Sequence, residues 1–458
     1  MYKRLFRGLP VIEGAAFFGA VYAAVIIRLG RDWERIAEDV GPVWPEALMF
    51  SGVLLVSMTA MGLYNQRLRD GIEGILARVV LAFGGGTLFI ALAYYAFSGL
   101  FLGRGILLLS MLMSFLAVAI IRAQLVRIGR LERSKRRVLV LGGGRRAAVL
   151  TMLRRSTDLI GIRIVGYVAH PDDEDAVPAD KRVELDRPLS EWAAEHGVDE
   201  IVVAPDERRR NLDMHELLSC RAHGVLVTDL TAFYERETGR INLDMMLPGW
   251  LVFSTGFSPN LVRDRVKRLL DIVVGVLLLV AASPLMLGAA LAIWIESGFR
   301  GPIFYRQVRV GANGREFEVV KFRSMQIDAE RDGRARWATT ADPRVTRAGS
   351  VLRRSRIDEL PQILNVLRGE MSFVGPRPER PEFVRELERA QPRYADRHHV
   401  KPGLTGWAQI SYPYGGSEHD ALQKLQFDLY YVKNRSIYLD LTILLQTAEV
   451  VLWGKGAR

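Results

Sequence analysis

Two adjacent carboxylates, Asp358 and Glu359, stand between two sets of arginines. Arg353, Arg354 and Arg356 precede them, and Arg377 follows inside Gly375-Pro376-Arg377-Pro378. Pro361 suits the first turn of a helix and Gly369 suits its end, which puts the acid pair at a helix N-terminus. Unpaired N–H groups and the helix dipole favour negative charge there. Two prolines around Arg377 make a stiff turn that aims a single guanidinium, an arrangement suited to phosphate. The spacing alone shows that acids and bases lie close in sequence, in a pattern suited to an anionic, phosphorylated ligand. A plainer account competes, in which Asp358 only caps the helix and the arginines form a solvated face.

This stretch, residues 353–378, closely resembles the signature of the bacterial polyprenyl-phosphate sugar-1-phosphate transferases. The resemblance continues through Gln307-Val308-Arg309-Val310-Gly311, Lys321-Phe322-Arg323-Ser324-Met325, Val400-Lys401-Pro402-Gly403-Leu404-Thr405-Gly406-Trp407-Ala408-Gln409 and the terminal Gly454-Lys455-Gly456-Ala457-Arg458. It covers residues 262–458, and several motifs in one order are far more specific than any one alone. The resemblance implies an enzyme of the bacterial inner membrane with its catalytic domain on the cytoplasmic face. Such an enzyme starts exopolysaccharide or O-antigen assembly. It moves a hexose 1-phosphate from a UDP-sugar to polyprenyl phosphate and releases UMP. Asp358 would be the nucleophile, and Glu359 would hold Mg²⁺. Lys321, Arg353 and Arg377 would cradle phosphate oxygens, with Gln307 and Arg309 at the substrate mouth. Transfer to an ionised phosphate needs no general base, so His398 and His399 are read as structural.

Composition agrees with a membrane setting. The chain of 458 residues has a formal net charge of +11 yet is 49% hydrophobic. Basic faces turned to anionic lipid or phosphorylated substrates account for both, and no nucleic-acid motif is present. The single cysteine, Cys220, excludes an internal disulfide framework and a thiol zinc site, and reads as a core thiol.

The elements that must position the acid pair follow in order. Apolar runs at 11–27, 47–64, 79–97 and 105–121 approach the length of a bilayer span and predict a four-helix transmembrane bundle over 1–130. Three further runs follow the first, so it is not read as a cleaved signal peptide. Lys3, Arg4, Arg7, Arg67, Arg69, Arg78, Arg122, Arg127, Arg130, Arg133, Lys135, Arg136 and Arg137, set against a net acidic first loop (Asp32, Glu34, Glu38, Asp39 and Glu46 against Arg28, Arg31 and Arg35), predict four spans with both ends in the cytoplasm. The bundle is read as an anchor.

Residues 136–235 alternate strand and helix and predict a Rossmann-like parallel α/β domain, with strands at Arg137–Leu141, Ile162–Val168, Glu200–Ala204 and Val225–Thr228. Gly142-Gly143-Gly144 matches a nucleotide-binding turn, with Gly142 and Gly144 as its key positions, although His170-Pro171-Asp172 stands where a ribose-binding acid is expected. The alternative is a tight turn in a regulatory or dimer-forming domain, so a homodimer is a second expectation. Asp173-Glu174-Asp175 reads as a solvated loop.

A linker over 236–262 leads to the catalytic domain, 263–458. Its first segment, 264–297, is apolar with basic residues at both ends and Ser283-Pro284 in the middle. A full span would separate 300–458 from cytoplasmic substrates, so a re-entrant helical hairpin broken at Ser283-Pro284 is expected. Asp440 to Trp453 is amphipathic and suits the membrane interface. Two other functions fit parts of the chain. A nucleotide-sugar dehydratase or epimerase would need a tyrosine followed four residues later by lysine, and no tyrosine here has that partner. A non-enzymatic scaffold would tolerate loss of the Asp358 charge.

Overall fold

The computed structural model describes residues 2–30, 42–64, 72–96, 103–129, 135–153, 161–169, 173–206, 213–245, 260–326, 344–412, 415 and 417–453. Asp32, Glu34, Glu38, Asp39, Arg67, Arg69, Arg130, Arg133, His170-Pro171-Asp172 and the terminal Gly454 to Arg458 lie outside them, whereas Glu46, expected in the first loop, is buried in the first turn of the helix Trp44–Ala60. The chain forms two compact units, Met1–Thr238 and Gly239–Arg458.

The first unit opens with four helices, α1 (Tyr2–Leu29), α2 (Trp44–Ala60), α3 (Ile72–Ala96) and α4 (Arg104–Gly129). They share an apolar core that includes Phe17, Phe50, Leu54, Met58, Phe83 and Ile90. Their outward faces are also apolar, with Val11, Val56, Leu88, Leu108 and Ile120 exposed. A helix apolar all round belongs in lipid. The windows Gly8–Leu29, Arg78–Tyr95 and Arg104–Leu125 are long and apolar enough to cross a membrane, and α2 is shorter at 17 residues. A buried ion pair crosses this core. Arg122 donates to both oxygens of Glu13 at 2.7 and 3.0 Å and to Leu63 O at 2.7 Å. It ties α4 to α1 and to the end of α2, and its charges satisfy one another where water is absent.

The rest of this unit is a parallel sheet of β1 (Arg136–Leu141), β2 (Ile162–Val168), β3 (Glu200–Val203) and β4 (Leu226–Asp229), in the order β2-β1-β3-β4. A four-residue helix α5 (Arg145–Ala148) and the helices α6 (Leu189–Glu195), α7 (Met214–Ala222) and α8 (Leu230–Thr238) connect or follow the strands. Leu139, Ile201, Trp192, Leu217 and Cys220 fill its core.

The second unit begins with α9 (Leu261–Glu296), 36 residues long and capped by the Asn260 side chain, which accepts from Arg263 N at 3.0 Å. Ser283-Pro284 lies inside this continuous helix instead of separating two helices. The reason is local. Pro284 has no N–H to give Val280 O, four residues back, and Ser283 Oγ donates to that carbonyl at 2.7 Å instead. Both halves of α9 rest on the same unit. Near its start Arg268 donates to Val366 O and Leu367 O, each at 2.6 Å. Near its end Ala289 and Ile293 pack with Phe322 and Leu352, and Glu296 accepts from Arg347 N and Ala348 N. Between these anchor points Leu277, Val280, Leu285 and Leu287 are exposed.

The soluble-type part continues with an antiparallel hairpin, β5 (Phe304–Val310) and β6 (Glu316–Phe322). Helix α10 (Arg347–Arg354) precedes a 3-10 turn over Ile357–Gln362, which runs into α11 (Ile363–Arg368). The short parallel strands β7 (Ser372–Val374) and β8 (Gly403–Thr405) pair beside it. Helices α12 (Pro381–Ala390), α13 (Trp407–Ser411), α14 (Glu418–Asn434) and α15 (Ile437–Trp453) complete the unit. Val319, Ile363, Val366, Phe373, Tyr431 and Ile443 form the core against which the acid-bearing turn is set.

Candidate active site

The acid pair sits on the 3-10 turn, so the helix begins with a tighter winding than an α-helix and Pro361 lies within that turn. Arg356, just before it, has φ of +60°, a left-handed conformation that costs a non-glycine residue energy. Gly369 ends α11 with φ of +89°, as its sequence position suggests.

Lys321 reaches the pair from β6. Its Nζ donates to Glu359 Oε1 at 3.0 Å, and Arg377 Nη2 donates to the same oxygen at 3.0 Å. Burial alone would push the Glu359 carboxyl up, but Arg377 and Lys321 outweigh it and hold the group well below the usual carboxylate range. Asp358 is shifted the other way. Burial and the neighbouring Glu359 charge raise it, against the opposing pull of Lys321, Arg353 and Arg356. Its Oδ1 is buried without a hydrogen-bond partner among the described residues. Two neighbouring acids thus have opposite shifts, a pattern typical of sites with divided roles.

Other side chains hold these groups in place. Asn365 on α11 is fully buried. Its Oδ1 accepts from Val320 N at 3.1 Å and its Nδ2 donates to Glu318 O at 2.7 Å. This amide therefore pins β6 next to Lys321 in the manner of a neighbouring strand. Arg309 Nη2 donates to Gln307 Oε1 at 2.6 Å and its Nη1 to Pro378 O at 3.1 Å, which ties β5 to the proline turn. Arg397 Nη2 donates to Arg377 O at 2.9 Å. Arg397 is itself held by Asp428 Oδ2, at 3.0 Å from its Nε, and by Tyr394 OH at 2.7 Å. Gly375 leaves no room for a side chain, since a Cβ there would stand 2.3 Å from Lys401 O.

Gln307, Arg309, Lys321, Arg353, Asp358, Glu359 and Arg377 all line one cavity of about 1190 Å³. Leu278, Ala282 and Leu285 of α9 give it an apolar side that flanks Ser283 and Pro284. Arg323, Arg380, Gln409, Tyr412 and Lys424 also line it and were not singled out as site residues from the sequence. Gln409 ends a quoted motif, which was a usable signal. The Arg397–Asp428 pair had none, because 31 residues separate its members. His398 borders a separate small pocket, and burial with the nearby Arg397 charge pushes its imidazole down to about 3. It is neutral at ordinary pH and plays no part in the cavity.

No three His, Cys, Asp or Glu side chains converge among the described residues. The donor set is therefore one or two carboxylates, with the bare Asp358 Oδ1 beside Glu359. That set fits a magnesium ion completed by substrate phosphates and water, and not an all-protein cage.

Gly142 and Gly144 lie in the other unit. Gly142 has φ of +139°, and a Cβ at Gly144 would meet the Asp206 carboxylate at 2.0 Å. Three N–H groups of this turn are already taken: Arg145 N and Arg146 N donate to Asp206 at 3.0 and 2.9 Å, and Gly143 N to Asp173 at 2.7 Å. Asp173 also accepts from Asp206 N at 3.1 Å. The reading of Asp173 as solvated is thereby corrected. It is half-buried and joins two loops, because main-chain donors there need an acceptor.

Fold and site together describe a membrane-associated α/β protein with a cation-ringed acid pair at one cavity. A family described as bacterial sugar transferase matches residues 262–454, and one described as CoA-binding domain matches residues 59–209. A UDP-N-acetylgalactosamine-undecaprenyl-phosphate N-acetylgalactosaminephosphotransferase of Aeromonas hydrophila is 41% identical over 242 residues, 53% of this chain and 56% of that protein. A UDP-glucose:undecaprenyl-phosphate glucose-1-phosphate transferase of Escherichia coli is 35% identical over 321 residues, 69% of this chain and 67% of that protein. An uncharacterized sugar transferase of Bacillus subtilis is 39% identical over 190 residues, 42% of this chain and 89% of that protein. The match spans about half the length of the Aeromonas relative. This chain belongs to the bacterial polyprenyl-phosphate sugar-1-phosphate transferases.

Proposed function

We propose that this protein transfers a hexose 1-phosphate from a UDP-sugar to undecaprenyl phosphate on the cytoplasmic face of the bacterial inner membrane. The product is a polyprenyl-diphospho-sugar, made in the first membrane step of polysaccharide assembly. The observation that carries this reading is the pair of oppositely shifted carboxylates, one bare and one held by Lys321 and Arg377, in a cavity with an apolar side.

An Asp358 oxygen attacks the β-phosphorus of the UDP-sugar. The new P–O bond to Asp358 forms as the bond to the bridging oxygen breaks, and UMP leaves with that electron pair. A polyprenyl phosphate oxygen then attacks the sugar-phosphoryl aspartate. The aspartyl P–O bond breaks, and the Asp358 carboxylate is restored. Two anionic substrates repel each other, and splitting the reaction in two avoids their direct encounter. Lys321, Arg353 and Arg377 hold phosphate oxygens as charge shifts among them. Glu359 keeps Lys321 and Arg377 in place and would hold Mg²⁺ together with the diphosphate. The ion, when bound, neutralises diphosphate charge. The apolar outer face of α9 lies in the lipid, and re-entry of α9 from the cytoplasmic side brings the acceptor lipid to the cavity. The packing of both halves of α9 on one unit supports this.

The test is UMP release by purified protein with Mg²⁺ and a panel of UDP-sugars, with and without polyprenyl phosphate. Lipid-dependent release is expected from the wild type, and a stoichiometric burst without lipid would report the covalent step. Asp358→Asn should lower turnover by roughly a thousandfold or more, as for other lost nucleophiles. Full activity in that variant would remove Asp358 as nucleophile.

A further inference from the structure

Arg356 stands just before the acid turn and lines the same cavity, and the mechanism above gives it no task. It is exposed, and its side chain makes no hydrogen bond or ion pair among the described residues. Its backbone is left-handed, with φ of +60° and ψ of 14°. Glycine and asparagine take that conformation at lower cost than arginine. The turn itself fixes it: Arg356 N donates to Arg353 O, and Glu359 N donates to Arg356 O, both at 3.3 Å. The fold thus holds a long cation where a small residue would sit with less strain, and such strain gathers at positions that handle ligands. The charge also reaches the nucleophile, since Arg356 is one of the cations that pull Asp358 down.

The cations of the cavity fall into two groups by what their elements pack against. Leu352 and Ile357, on either side of Arg356 in sequence, pack with Ala289 and Ile293 of α9. Nearby residues of α9, Leu285, Leu287 and Leu291, are apolar and exposed. Arg380 and Lys424 also line the cavity, but they belong to α14 and the start of α12. Those two helices share a core of Val384, Leu387, Leu425 and Leu429, whose described members include none from α9. A polyprenyl phosphate keeps its tail in lipid and its charge at the lipid surface, so it meets the group beside α9. A nucleotide-sugar arrives from water and is free to use the other. We infer that Arg356 holds the phosphate of the acceptor lipid, with its guanidinium fork on the ionised oxygens. This rests on the proposed transferase reading and deepens it, because it gives the second substrate its own cation on the α9 side of Asp358.

Equilibrium binding in an Asp358→Asn background isolates recognition from turnover. Adding Arg356→Asn to that background should raise the dissociation constant for polyprenyl phosphate in detergent micelles about tenfold, the worth of one charge-assisted bond. The constant for the UDP-sugar should move by less than about twofold, since a cation that does not touch it is screened. The melting temperature should equal or exceed the parent's, because asparagine tolerates the left-handed backbone. Arg356→Lys keeps the charge without the fork, and its constant should lie between the two. Binding of uncharged polyprenol should respond to neither variant. An unchanged polyprenyl phosphate constant, an equal loss for the UDP-sugar, an equal loss for polyprenol, a lowered melting temperature in Arg356→Asn, or no polyprenyl phosphate binding by the parent would overturn the inference. Failure of the transferase reading is seen separately, as a wild type that releases no UMP from any UDP-sugar.

Discussion

Asp358 and Glu359 are neighbours in sequence and opposites in chemistry. Lys321 and Arg377 converge on one oxygen of Glu359, while the buried Oδ1 of Asp358 has no hydrogen-bond partner among the described residues. Only the ionised Asp358 can attack phosphorus, so activity is lost as pH falls through its folded pKa. That value is raised by burial and by the Glu359 charge, so the acid limb of kcat/KM should lie at higher pH than an unperturbed aspartate would give. Lys321 pulls the same group down. Residual activity of Lys321→Met should therefore show its acid limb at higher pH than the wild type. A pH–rate profile of the two proteins decides this, and an unmoved limb would separate Lys321 from Asp358 electrostatically. For stability the acids act in opposite senses. The lowered Glu359 contributes above its unfolded pKa and that contribution is lost as pH falls, whereas the raised Asp358 favours the fold only while protonated.

At the scale of elements, the site depends on how β6 meets the turn that carries the acids. Asn365 makes that junction by pairing with two main-chain groups of β6 on either side of Val319. Asn365→Leu keeps the branched shape of the side chain but leaves Val320 N and Glu318 O without those partners. Loss of about 2–3 kcal/mol is expected from the buried groups left unpaired. A melting curve would show it as a drop of several degrees, and turnover should fall more than UDP-sugar affinity because Lys321 loses its placement. A variant that melts and turns over like the wild type would show that β6 is held by packing alone. The GPRP turn (Gly375 to Pro378) is held from the other side by Arg397, which is braced by Asp428 and Tyr394. The short turn at Gly142 follows the same physics with another result: Asp206 and Asp173 occupy donors that a phosphate would otherwise use.

At the scale of the whole molecule, each unit carries its own core and its own apolar exterior. In α9 the exterior is a long stripe, and the helix spans roughly 54 Å of rise if straight, well over a bilayer core of about 30 Å. Yet both halves pack on the one unit that holds the acid pair. The proposed re-entry predicts that both ends face the cytoplasm. The chain has one cysteine, Cys220, which makes the test clean. In a Cys220→Ala background, single cysteines at positions 265 and 300 should react with a membrane-impermeant thiol reagent only from the cytoplasmic side. Labelling of the two from opposite faces would show a full span and put the catalytic face on the wrong side for its donor.

The apolar runs, the strand–helix alternation of 136–235 and the signature around Asp358 were legible in the sequence because each is written in neighbouring residues. Helix and strand periodicity is local, and a string of motifs in one order identifies a family without any contact being known. The sequence also flagged Ser283-Pro284, but the expected break is not a break in winding, since a serine hydroxyl replaces the bond that proline removes. Tertiary structure alone decided which charges meet. Lys321 and Glu359 lie 38 residues apart, Arg397 and Asp428 lie 31 apart, and Asn365 finds its partners 45 and 47 residues away. It also left Asp358 Oδ1 without a hydrogen-bond partner among the described residues. Pairing and burial depend on which surfaces close against one another, and that is a property of the folded chain that no local pattern carries.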